Sequence, residues 1–258
     1  MSLKNAFQSL HILKAFGIGF TCIDGADFPA MLREMKDPPY MLFYRGNLEI
    51  LKKQCVSVVG TRHCTVSAKE AAESFSMEAA NDDCVVVSGL AFGIDACAHK
   101  GALSADLGGT AAVLPGGIDN IAPKSNTRLA ARILESGGVI LSEYIPGTPA
   151  MNFRFVQRNR IVAALSPATV VIQAPPGSGA MLTAGLALDY NRELYFHAEC
   201  FSKESEILTQ SVIQKIKSDL SNFKSAENKL NNSPAAFVKD GAQIIKDYSD
   251  YKKCRKFQ

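Results

Sequence analysis

The sequence predicts a doubly wound α/β fold with a mainly parallel sheet. Six short apolar runs recur through the middle of the chain, each bounded by glycine or a polar turn. Most are continuous rather than alternating, as expected of strands covered on both faces. Helical segments with short joins separate them, which is the pattern of successive crossovers within one parallel sheet.

The expected strands are Cys55–Gly60, Cys84–Ser88, Thr110–Leu114, Val139–Ser142, Ala168–Gln173 and Glu193–His197. The expected helices are Val66–Ala80, Ile94–Leu107, Asn126–Ser136, Arg158–Leu165 and Ala180–Tyr190. In the last, Leu182, Leu186 and Asp189 keep i, i+4, i+7 spacing, with Ala184, Ala187 and Leu188 adding apolar surface. Ahead of this unit come a short amphipathic stretch, Leu3–Phe16, and a proline-marked segment from Phe28-Pro29 to Pro38-Pro39. Tyr40–Arg45 then adds an extended edge. Beyond His197 the pattern weakens: Ile207–Phe223 reads as one amphipathic helix and Ser225–Ser233 as a polar linker. Phe237–Tyr251 reads as a last small element, and Lys252–Lys256 as a basic, frayed end.

Of 258 residues, 47% are hydrophobic and 21% charged, ordinary for a globular protein. No apolar run approaches the roughly 20 residues that span a bilayer. Lys4, Gln8, His11 and Lys14 interrupt the first 16 residues, which argues against a signal peptide. The seven cysteines are scattered and never form a C-x-x-C pair, which suits a reducing cytoplasm better than a disulfide framework. The four histidines keep no ligand spacing with them, so no metal site is expected. Net charge is +3, but residues 201–258 hold 11 Lys/Arg against 7 Asp/Glu. Any polyanion affinity of the core must therefore come from a local patch.

In an open α/β sheet, ligands bind at the carboxyl ends of the strands. Gly60-Thr61-Arg62 ends the first strand just before a helix, where free amides, the helix dipole and a planar guanidinium suit an anion. A plain turn is the alternative. Ser88–Gly93 raises the same choice, its glycines serving either a ligand or close packing. Neither loop is G-x-G-x-x-G or G-x-x-x-x-G-K-[ST], which disfavours a dinucleotide site or a Walker-type ATPase. Asp95 and His99 lie four apart, as an acid–base pair would, although capping plus a helix-surface contact is the simpler account. Lys124 follows Pro123, and Arg154, Arg158 and Arg160 interleave with Phe153 and Phe155. Cations beside rings are what a sequence-tolerant single-strand site requires. A solvated basic turn with core phenylalanines is the alternative.

Taken together, these motifs resemble the DprA (Smf) family. Gly60-Thr61-Arg62 looks like its G-S-R strand end, and Ser88–Asp95 (SGLAFGID) like its S-G-L-A-x-G-I-D loop. His99 and Gly101-Ala102-Leu103 continue the agreement. Ala122–Asn126 stands where the family has Y-P-x-x-N. Leu141–Thr148, Arg158–Ile161, and Ser178-Gly179-Ala180 with Thr183-Ala184 are similar too. So are Asp37-Pro38-Pro39 and Tyr44–Leu48, and agreement runs over about residues 17–199. The resemblance implies an extended Rossmann-like domain that binds single-stranded DNA without catalysis, protects incoming DNA in natural transformation and helps load RecA. A homodimer is implied as well, with no cofactor and no membrane association. Arg62 and Lys124 would be the principal phosphate-binding charges. Gly60, Ser88, Gly89, Asn126, Arg158, Asn159, Ser178 and Gly179 would shape or line the pocket, with Thr61 and Arg160 beside them. Asp95–His99 becomes a structural pair. The implied division is a truncated helical remnant with an approach segment over 1–50, a DNA-binding domain over 51–200, and a Lys-rich extension over 201–258.

This chain departs from the pattern where Thr61 replaces serine, Phe92 stands in place of a common arginine, and Ala122 replaces tyrosine. One rival is a nucleotide-processing enzyme of the Rossmann phosphoribohydrolase type. Its P-G-G-x-G-T-x-x-E loop is not matched by Pro115–Asn120, which lacks the glutamate a general base would need. A nucleotide sensor using the same rim is the other.

Overall fold

The computed structural model describes residue 13 and residues 15–218 and 223–255. Nine strands form one sheet among these residues. They are β1 (Gly19–Cys22), β2 (Met41–Gly46), β3 (Cys55–Val59), β4 (Val85–Ser88), β5 (Thr110–Val113), β6 (Val139–Ser142), β7 (Ala168–Val171), β8 (Glu193–His197) and β9 (Gln243–Ile245). The helices are α1 (Ala30–Arg33), α2 (Val66–Asn81), α3 (Ile94–Ala102), α4 (Thr127–Glu135), α5 (Asn152–Ala164), α6 (Gly179–Asp189), α7 (Lys203–Ser218), α8 (Phe223–Asn231), α9 (Pro234–Lys239) and α10 (Tyr248–Arg255).

The strand order is β1-β2-β6-β5-β4-β3-β7-β8-β9. The pairs from β6 through β9 are parallel, while β1–β2 and β2–β6 are antiparallel. The chain thus moves outward from β3 to β6, then returns to β7 on the other side of β3. That reversal is the topological switch point, where a crevice opens beyond the strand ends.

Burial explains why continuous β-branched runs became strands. Cys55, Val59, Val85 and Val87 face one layer with α5 and α6, whereas Val56, Val58 and Val86 face the other with α2 and α3. With side chains alternating across the pleat, only an all-apolar strand suits a sheet covered on both sides. Thr65 caps α2 by accepting from the Ala68 amide at 3.2 Å, satisfying a donor that the first helical turn leaves open.

The six expected strands are present; Val139–Ser142 and Glu193–His197 keep their expected bounds, and the other four are one or two residues shorter. Three differences have physical causes. The expected edge Tyr40–Arg45 becomes β2, but it lies inside the sheet, because Gly19–Cys22 pairs with its far side as β1. Helix α5 begins at Asn152, six residues before the expected Arg158, since Asn152–Gln157 is polar on one side and shows no complete apolar stripe. The expected linker Ser225–Ser233 is mostly helix α8. The stretch Leu3–Phe16 falls largely outside the described residues, as do the end of Ile207–Phe223 and Lys256.

Residues 243–255 contribute Ile245, Tyr248 and Tyr251 to the core. Tyr248 and Tyr251 of α10 meet Phe75 edge-on, with ring centroids 5.5 and 5.8 Å apart. Such pairs add about 0.5–1.5 kcal/mol each beyond the burial of their area. Tyr251 also meets Tyr195 of β8 at 5.3 Å, binding the last helix to the sheet it completes.

Candidate nucleic-acid interface

A cleft of about 630 Å³ sits at the switch point, lined by the ends of β3, β4 and β7 and by one face of α5. The first turns of α3, α5 and α6 contribute Asp95, Asn152 and Gly179 to it. First-turn amides lack a partner within their own helix, so converging amino ends favour a bound anion.

Eight of the twelve sequence-predicted residues line this cleft: Gly60, Thr61, Arg62, Gly89, Arg158, Asn159, Ser178 and Gly179. The two early glycines serve packing. A Cβ on Gly60 would come within 2.5 Å of the Ile94 side chain, and one on Gly89 would come equally near the Arg158 guanidinium. Gly179 differs, because a Cβ there would meet nothing nearer than 3.8 Å, leaving the amino end of α6 open to a ligand. Ser178 precedes it. Its hydroxyl is buried without a hydrogen-bond partner among the described residues, and it does not cap its own helix. A buried hydroxyl at a cleft wall calls for an acceptor, which a ligand or an ordered water can supply.

Arg62 is exposed at the mouth, its guanidinium carbon 5.0 Å from the centre of the Phe155 ring. Among the described residues it forms no ion pair. Stacking on a ring leaves its planar edge of donors free for a phosphate. Arg154 lies similarly over Tyr144 at 5.0 Å and Phe153 at 5.3 Å, on a part of α5 that does not line the cleft. Phe92, half-exposed on the adjoining loop, adds a further open ring.

Arg158 plays another part. It is 3% exposed and donates to the carbonyls of both Gly89 and Val113, joining the ends of two strands. Burial lowers its pKa to about 10, which still leaves it charged at neutral pH. Asp95 lies nearby, and burial raises its pKa while Arg158 and the amides of Ala91 and Gly89 hold it down. These groups build the floor.

The four remaining predicted residues sit outside the lining. Ser88 is fully buried and donates to the Val58 carbonyl at 2.7 Å, a strut between β4 and β3. Asn126 donates to the carbonyls of Leu90 and Ala91 at 2.9 and 3.3 Å, fixing the loop that carries Ala91 into the cleft. Lys124, two residues earlier, is exposed at the start of a 3-10 turn beside that loop. Arg160 is bound by Glu143 and lies 3.6 Å from Asp37, so its charge is already compensated.

Asn152 and Val156 were absent from the sequence-predicted set, and Phe155 entered it only as a ring beside Arg154, yet all three line the cleft with Asn159. Their i, i+3, i+4, i+7 spacing is the signal that identifies them once α5 is extended back to Asn152.

Asp95 and His99 are neither an acid–base pair nor a surface contact. Both are buried, and His99 Nδ1 lies 2.7 Å from Thr110 Oγ1, whose own proton goes to the Val86 carbonyl. Nδ1 must therefore be the donor, leaving Nε2 bare and without a partner among the described residues. Burial first, then the Arg158 charge, lowers the His99 pKa to about 3. Unfolded His99 takes up a proton near pH 6.5, whereas the folded residue refuses it until about pH 3, so stability falls as pH drops through that window. The expected slope is about 1 kcal/mol per pH unit, partly offset by Asp95, whose raised pKa acts in the opposite sense. Urea midpoints at pH 7 and 5.5 should show this slope in the wild type, with a flatter one in His99→Gln.

Fold and cleft together define a doubly wound α/β domain with an anion-receptive crevice at its switch point. The family model for DNA recombination-mediator protein A matches residues 19–251, reaching past the stretch in which motif agreement is visible by eye. The chain belongs to that family. It is 36% identical over 170 residues to Protein Smf of Borreliella burgdorferi, covering 66% of this chain and 54% of that protein. The crystal structure of DNA processing protein A from Streptococcus pneumoniae superposes with a TM-score of 0.75 at 30% identity, over 97% of this chain and 80% of that one. A structure of DNA processing protein A from Helicobacter pylori, described for its single-stranded DNA binding mode, gives 0.62 at 31% identity, over 69% of this chain and 80% of that one. The chain spans about half the length of several curated relatives that it matches.

Proposed function

We propose that this protein binds single-stranded DNA along the switch-point rim and acts in DNA processing during natural transformation. The observation behind this is Arg62: an unpaired guanidinium stacked on Phe155, at the mouth of a cleft with open helix ends and the unsatisfied Ser178 hydroxyl. Cations neutralise phosphates and rings stack bases, a combination that tolerates any sequence. The Helicobacter pylori relative, studied for its single-stranded DNA binding mode, supports the same ligand. Residues 51–200 form the DNA-binding unit in this reading, and residues 201–258 assist it. Lys124 extends the rim beyond the cleft, held near it through Asn126.

No bond chemistry is assigned. Among the described residues that line the cleft, the carboxylate is Asp95, which is buried and accepts from backbone amides. A phosphoribohydrolase would need an accessible general base. Loading of RecA, homodimer formation and a cytoplasmic setting are further parts of the proposal. The last is supported by seven free cysteines and by the lack, among the described residues, of any helix long and apolar enough to cross a membrane.

The test is an anisotropy titration of single- and double-stranded oligonucleotides across a salt series. Preference for the single strand is expected, with log affinity falling by about 0.7 per neutralised phosphate for each decade of salt. Equal affinity for duplex at low salt, or release of free base from nucleoside monophosphates, overturns the reading.

A further inference from the structure

The lip of the cleft is held by the C-terminal segment. Gly177, Ser178 and Gly179 form one wall, and the Gly177 amide donates to the Asn232 carbonyl at 2.9 Å, just past the end of α8. Gly177 has φ +68°, and a Cβ on it would lie 2.8 Å from the Cβ of Lys229. The stem of Lys229 therefore rests directly on the loop that carries Ser178. Lys229 itself is exposed and, among the described residues, forms no ion pair.

This placement is firmly supported from below. Helix α8 packs on α7, and α7 is anchored through Ser205, which accepts a hydrogen bond from Gln173 Nε2 and donates to the Glu199 carbonyl at 2.5 Å. Gln173 also accepts from the Thr65 amide at 2.9 Å, and its own carbonyl accepts from the Thr61 amide at 2.7 Å. The same residue thus positions the Thr61–Thr65 loop beside Arg62 and the helical pair that carries Lys229.

We propose that Lys229 is a further phosphate-binding residue, which takes a phosphodiester of the strand as it leaves the cleft over the Gly177 lip. The inference rests on the single-strand reading and adds an exit direction to it, from Arg62 across Ser178–Gly179 to α8. An ammonium without an ion pair among the described residues, on a stem braced against the Gly177 loop, is free to meet a phosphate, and as a point charge it needs no particular base.

The experiment compares the full chain with Lys229→Gln, which keeps the stem that covers Gly177, and with Lys229→Ala. Lys252→Ala serves as a charge control, because Lys252 pairs with Asp82 at 2.8 Å on α10, away from the cleft lining. Binding of a roughly 15-nucleotide oligothymidylate is measured across salt. Lys229→Gln should lower the salt slope by about 0.7 and weaken binding about fivefold at 0.1 M salt relative to 1 M, with Lys252→Ala unchanged. Wild-type behaviour of Lys229→Gln, while Arg62→Ala still weakens binding, overturns the inference and leaves the cleft reading intact. Equal losses in Lys229→Gln and Lys252→Ala also overturn it, since bulk charge would then explain the effect. If neither Arg62→Ala nor Lys229→Gln changes affinity, both readings fall together.

Discussion

Replacing Arg158 with leucine is expected to destabilise the protein by about 3–5 kcal/mol, the range for removing one partner of a buried charge network. The guanidinium satisfies the Gly89 and Val113 carbonyls at once, and it is the foremost cation acting on the buried Asp95 carboxyl. Leucine leaves two acceptors and one charge uncompensated. Asp95 can respond only by staying protonated to higher pH, so the deficit of Arg158→Leu relative to wild type should shrink as pH falls. Adding Asp95→Asn to Arg158→Leu should restore part of the lost stability, and a urea-unfolding double-mutant cycle measures that coupling. A loss below about 1 kcal/mol, within the range of ordinary substitutions, would show that Arg158 is not holding the floor.

Arg158 also shows what sequence reasoning distinguishes and what it does not. That an arginine belongs at this place was legible from the Arg158-Asn159-Arg160-Ile161 motif, but the motif does not say which guanidinium faces a ligand. Arg158 turned inward to strand carbonyls, and Arg160 turned to Glu143 and Asp37, which lie far from it in sequence. The central strands were legible because a run such as Cys55–Val59 buries both faces and leaves no polar alternation to misread. Strands β1 and β9 were not. Gly19–Cys22 and Gln243–Ile245 are short, partly exposed, and become strands only through pairing with β2 and β8. Likewise, α8 is only nine residues long and carries two Asn and a Ser, so its helicity leans on packing against α7 and the Gly177 loop more than on intrinsic preference.

The cleft was half legible for a related reason. Glycine-rich strand ends announce themselves in sequence, whereas Phe155 and Asn152 join the site only by sharing a helix face with Asn159. Interleaving of Phe153 and Phe155 with Arg154 suggested either rings beside cations at a single-strand site or a basic turn with core phenylalanines. On a helix, instead, Phe153 stays exposed beneath Arg154, and Phe155 becomes the platform for Arg62. At a 3.6-residue period Phe155 falls on the cleft-lining face with Asn152 and Asn159, and Phe153 does not.

Arg62→Ala is accordingly expected to weaken single-strand binding about 10- to 100-fold near 0.1 M salt, the loss of one charge-assisted contact together with its counterion term. The salt slope should fall by about 0.7, and it should do so for every base composition, because phosphates rather than base edges are being read. Arg62→Lys separates two contributions. It keeps the charge and hence the slope, but an ammonium lacks the planar fork and stacks poorly on Phe155, so a smaller loss in affinity remains. Phe155→Leu approaches the same geometry from the ring side, removing the platform and leaving the guanidinium unoriented. Arg62 is exposed and its recorded side-chain contact is that ring, so folding stability should move by no more than about 0.5 kcal/mol. Binding and stability therefore part company: Arg158→Leu lowers both, and Arg62→Ala lowers binding alone. Unaltered affinity and slope in Arg62→Ala would place the phosphate path elsewhere on the molecule, whatever the cleft contains.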